Sequence, residues 1–127
     1  MNITIEKDNL LLVEGRDEVN FFGAFLKYIG VHDDVQIIEV GGKDNFKNEF
    51  PALLLSPNFS AVRKYGIVRD ADDSADNTFQ SVIGMLSRHN QPVPKAPGEI
   101  ISSDDITAGI FIMPGNSGTG SVEWESY

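Results

Sequence analysis

Residues 10–40 read LLLVEGRDEVNFFGAFLKYIGVHDDVQIIEV, and the reading of this stretch decides the fold. It opens on an apolar run, Leu10–Glu14, closed by Gly15. Short apolar runs bounded by turn residues read as buried strands. From Asp17 to Ile29, Val19, Phe21, Phe22, Phe25, Leu26 and Ile29 recur at mostly helical spacing. Asp17 is placed to cap or charge the first turn and Gly30 to stop the helix. Val35–Val40 is a second strand, closed by Gly41 and Gly42.

The pattern continues outward from there. Asp44 opens a second helical stretch through Phe46, Phe50, Leu53 and Leu54, weakened by Pro51 because proline fits best in a helix's first turn. Lys64–Arg69 reads as a third strand, and a third helix starts at Asp76 or Asn77 and runs through Phe79, Val82, Ile83 and Leu86. Pro92, Pro94 and Pro97 mark residues 91–98 as a connector. Ile100–Ile101 and Gly109–Met113 are two further strands, either paired as a hairpin across Ser103, Asp104 and Asp105 or set apart. Alternation of this kind predicts an α/β fold, a mostly parallel sheet of four to five strands with helices on both faces. In such sheets ligands gather at the carboxyl ends of the strands. The acids stand there: Glu14 after the first strand, Asp70 and Asp72 after the third, and Glu123 beyond the last.

The 127 residues suit one domain, and 41% hydrophobic content supports a packed core. There is no cysteine, which excludes disulfides and thiolate metal sites. No apolar run approaches the roughly 20 residues of a membrane span, and MNITIEKDN lacks the layout of a signal peptide. The expectation is a soluble cytoplasmic protein. Nineteen acids against ten Lys and Arg give a net charge of -9, which argues against a chain that grips a phosphate backbone through a basic patch alone. Bound cations would offset clustered carboxylates, so a metal-dependent binder stays open.

Side chains alternate along an extended backbone, so Asp70 and Asp72 face the same way and can share a hard cation such as Mg²⁺. A lone D-x-D is weak, because Asp is also common in turns. The combination says more. LLLVEGRDEVNFF at the first strand–helix turn, VGGKDNF after the second strand and VRDADD after the third closely resemble the motif set of the Toprim domain, over Leu10 to Glu123. Topoisomerases, bacterial primases, overcoming-lysogenization-defect nucleases and recombination-mediator proteins share that domain. The chain looks most like small stand-alone Toprim-like proteins.

The resemblance implies a Rossmann-like fold and a Mg²⁺ site, with Mn²⁺ as a substitute. Glu14 matches the family's general acid/base or metal-ligating glutamate, and Asp70 and Asp72 match its D-x-D acids. Asp17 and Glu123, the latter in Ser121-Val122-Glu123, match two further ligands of the nuclease branch, with Asp73 a less regular candidate. The implied chemistry is metal-assisted attack on phosphorus in a nucleic acid. Crowded acids repel one another, so added Mg²⁺ should stabilise the fold.

Around the acids, Lys43 and Gly42 can receive a phosphate at the second helix's N-terminus, or form a plain turn. Arg16 and Arg69 either contact phosphate or pair with the carboxylates, the second being the default. Residues 114–120, PGNSGTG, are an ordinary loop or a phosphate cradle. Phe21, Phe22 and Phe25 are expected in the core rather than as a base-stacking platform. Two rivals remain. One is a non-catalytic Toprim module that binds DNA or a partner protein, which the net charge favours. The other is a receiver-like domain phosphorylated on Asp70, against which no Lys follows Lys95. The chain stops soon after its last strand, with Trp124 and Tyr127 seeking a surface, so a C-terminal truncation is kept open.

Overall fold

The computed structural model describes residues 4–71 and 74–113, with Lys43 in its backbone only. In chain order the elements are β1 (Asn9–Val13), α1 (Arg16–Tyr28), β2 (Val35–Glu39), α2 (Lys43–Leu54), β3 (Lys64–Asp70), α3 (Ala75–Arg88), β4 (Ile100–Ser103) and β5 (Ile106–Met113), with one 3-10 turn at Phe59–Ala61. The sheet order is β2-β1-β3-β5-β4. β1 is parallel to β2 and β3, β3 is parallel to β5, and β4 alone is antiparallel, on β5. This is the α/β, Rossmann-like arrangement read from the alternation of elements. The order reverses at β1: the chain moves outward to β2, then crosses back to lay β3 on the other side. The carboxyl ends of β1 and β3 therefore flank a topological switch point, where open α/β sheets hold their ligands.

Central β1 buries Leu10, Leu12 and Val13 and leaves Leu11 half-buried, which is why it reads as an apolar run from Leu10 on. Leu10 and Leu12 join the main core with Tyr65 and Ile67 of β3, Ile110 of β5, Phe46, Phe50 and Leu53 of α2, and Phe79, Val82, Met85 and Leu86 of α3. Pro51 lies inside α2 beyond its first turn, yet the helix runs on to Leu54. Full burial of Phe50 and Leu53 on either side offsets the backbone hydrogen bond that proline cannot donate. α3 begins at Ala75 because the Ser74 side chain accepts a hydrogen bond from the Asn77 N–H and caps it.

Against α1 the packing is thinner. Only Leu26 of this helix is buried, with Val19 and Phe22 half-buried at i−7 and i−4 from it. Phe21 and Phe25, expected in the core, are exposed and stack on each other with centroids 6.5 Å apart. The helix turns its 19-22-26 stripe to the sheet, and the neighbouring 21-25 stripe falls outside it. Beyond α1, Leu26 and Leu11 share an apolar groove of about 700 Å³ with Gly66, Gly109, Ile100 and Phe111. The two last strands do pair as a hairpin, turned at Asp104 with φ +55°. No helix among the described residues is long and apolar enough to cross a membrane.

Candidate functional site at the carboxyl ends of β1 and β3

Glu14 follows the last residue of β1, and Asp70 is the last residue of β3. The pairing of these strands brings the two positions together. The Glu14 carboxylate accepts a hydrogen bond through Oε2 from the Asp70 backbone N–H at 2.5 Å. Its other oxygen, Oε1, stands 3.9 Å from Nη1 of Arg69. Both side chains are withdrawn from water, Glu14 at 15% exposure and Arg69 at 4%.

Strand parity explains Arg69. Residues i and i+2 share a face, so Arg69 lies with the core residues Tyr65 and Ile67. There its guanidinium sits 5.3 Å from the centre of the Phe46 ring, a cation–π contact, and Nη1 donates to the Gly41 carbonyl at 3.4 Å. Nε is buried and makes no hydrogen bond among the described residues. An unmet donor of this kind costs about 1–3 kcal/mol.

Gly41 presents its carbonyl to Arg69 from a left-handed backbone, φ +80°, and a Cβ there would fall 2.6 Å from the Asn45 side chain. Only glycine meets both demands. Gly42 caps α2 without a side chain, and a Cβ there would lie 3.6 Å from Glu14 Oε1. The start of α2 thus faces the Glu14 carboxylate closely, and the positive end of its dipole favours negative charge there.

Of the other residues read as site candidates, Asp17 is exposed on the first turn of α1. Glu14, Asp17 and Asp70 do not assemble into a metal-holding group, and among the described residues no three His, Cys, Asp or Glu do. Asp72, Asp73, Glu123 and the 114–120 loop lie outside the described residues, as does the Lys43 side chain. Arg16 points away from this cluster to Glu39 at the end of β2, Nη2 to Oε1 3.6 Å, with both groups well exposed. In the same first turn, Glu18 accepts from the Gly15 N–H at 2.9 Å and completes the entry into α1.

The residues that sequence reasoning undervalued are Gly41 and Phe46, which fix Arg69 as it fixes Glu14. The available signal was the parity of β3: Arg69 had to face the core and so needed a carboxylate, a carbonyl or a ring. A carboxylate fixed at a switch point, as Glu14 is, is suited to holding a hard cation or exchanging a proton. No curated protein and no solved structure matches the chain. A family model described as a protein of unknown function, DUF3226, matches residues 8–125, and the chain belongs to that family.

Proposed function

We propose that this is a Mg²⁺-dependent Toprim-like domain that acts on nucleic-acid phosphodiesters from a cytoplasmic location. The observation that carries the reading is the fixed juxtaposition of Glu14 with the end of β3, from which Asp70 projects. The held Glu14 carboxylate gives a hard cation a first ligand, and Asp70, Asp72 and Glu123 are the further ligands that the sequence motifs supply. Residues such as these would hold Mg²⁺, or Mn²⁺ in its place, and the ion when bound would supply Lewis-acid polarisation of a phosphoryl oxygen. Glu14 is the group set to move the proton. Arg69 and the Asp70 N–H orient it and keep its carboxylate from rotating.

Melting curves with and without Mg²⁺ test the cation site, and plasmid nicking with Mn²⁺ tests the chemistry. Wild type should melt higher with the ion, with Asp70→Asn reducing the shift and Glu14→Gln abolishing nicking. An equal shift in Asp70→Asn/Asp72→Asn would count against the site. The second reading, a non-catalytic module that binds DNA or a partner protein, is favoured by one observation: Glu14 already has a cationic partner in Arg69. A Mg²⁺ shift with no nicking would support it.

A further inference from the structure

A second cavity, of about 290 Å³, opens between α2 and α3 and has Arg69, but not Glu14, in its lining. Its described lining holds three cations, Lys47, Arg69 and Arg88, and no acid. In a chain with 19 acids and ten Lys and Arg, a cavity of that sign is not a sample of the average surface. Neither Lys47 nor Arg88 makes an ion pair among the described residues. The polar residues Ser74, Asn77, Thr78 and Ser81 line the same wall, at i, i+3, i+4 and i+7 from the N-cap of α3. Arg88 continues that stripe and lays Nη1 back toward Gly84, where even a Cβ would be only 3.6 Å from it.

A helix start and a polar stripe alone would say little. The deciding observation is Arg69, which lines the cavity, is more than nine-tenths buried, and leaves Nε without an acceptor among the described residues. The Thr78 hydroxyl already donates to the Ala71 carbonyl and the Asn77 N–H to Ser74, so the groups that ask for an oxyanion with several acceptor oxygens are Lys47 and Arg88 without counter-ions and the buried guanidinium short of an acceptor. Phe46, Val82 and Met85 supply an apolar wall for the rest of the molecule.

We infer that this cavity binds the phosphate of a small phosphorylated molecule of nucleotide size. A bounded cavity suits a small molecule, and the net charge of -9 opposes a long polyanion. The site adjoins the proposed cation site through Arg69 but does not rest on that reading.

The test is an NMR titration of the full chain with pyrophosphate, then with AMP, in EDTA at fixed ionic strength. Both should give saturable shifts at the Ser74, Asn77, Thr78 and Ser81 amides. Lys47→Gln and Arg88→Gln should each weaken binding about tenfold, the loss of one charged hydrogen bond, with the melting temperature unchanged. Glu14→Gln should still bind, which separates this site from the cation site. Absence of saturable shifts, or wild-type affinity in both variants, overturns the inference. So does displacement of pyrophosphate by a single-stranded oligonucleotide but not by AMP, which would assign the cavity to a nucleic-acid strand.

Discussion

Two neighbouring strands of one sheet each end in a glutamate that faces an arginine, and the two pairs are built to different purposes. At the end of β1, Glu14 is 15% exposed and Arg69 4%; at the end of β2, Glu39 is 42% exposed and Arg16 74%. The distances are similar, 3.9 and 3.6 Å. What differs is the surroundings. Water screens the β2 pair, so it contributes at most a few tenths of a kcal/mol. The β1 pair is enclosed by Phe46, the Gly41 carbonyl and the Asp70 N–H. A buried pair is not in itself stabilising, because both charges have left water, but breaking it strands the survivor. The lesson is that residue identity at a strand end says little until parity and burial are known.

The comparison can be broken most forcefully at Glu14. Glu14→Ala leaves the Arg69 charge buried without its carboxylate and should cost about 3–5 kcal/mol in urea unfolding. Glu14→Gln keeps an acceptor for the Asp70 N–H and should cost clearly less. Next comes the clamp on Arg69. Gly41→Ala meets both a left-handed φ and the Asn45 side chain, and should lower stability by about 1–3 kcal/mol. Gly30→Ala shares the positive φ but has nothing within 4 Å, so it should cost less. The difference between the two measures the steric part.

A smaller effect extends the contrast to tyrosines. Burial pushes the Tyr65 phenol far above its ordinary value, whereas Tyr28 is almost fully exposed. A phenol whose folded pKa is raised keeps its full contribution below the unfolded value near 10 and loses it as pH rises beyond that. Unfolding free energy should therefore fall above about pH 10, and Tyr65→Phe should flatten that fall at the expense of the hydrogen bond to Gln91. Smallest of all, Glu39→Gln or Arg16→Gln should change stability by less than about 0.5 kcal/mol.

Much of this architecture was legible in the sequence because the apolar runs and helical stripes are long and bounded by glycine. β1, β2, β3 and all three helices stand within a residue or two of where the pattern puts them. The misses have physical causes. β5 begins at Ile106, before the Gly109 that the pattern suggests, because Thr107 and Ala108 pair with Lys64 and Tyr65 of β3. That is a long-range pairing no local window contains. Phe21 and Phe25 show the same i, i+4 spacing as Phe22 and Leu26, and periodicity alone does not say which of two adjacent stripes meets the sheet. The meeting of Glu14 with the end of β3 follows from motif order and strand pairing together. The role of Gly41 as the acceptor for Arg69 depends on a backbone carbonyl, and that has no signature in residue type.

The claim at the centre is that Glu14 and Asp70 share a divalent ion, and diffraction at the manganese edge from crystals soaked in Mn²⁺ tests it most directly. The account predicts one anomalous peak within about 2 Å of carboxylate oxygens of both residues. A saturating soak that leaves Glu14 on Arg69 alone, with manganese elsewhere or nowhere, would contradict it.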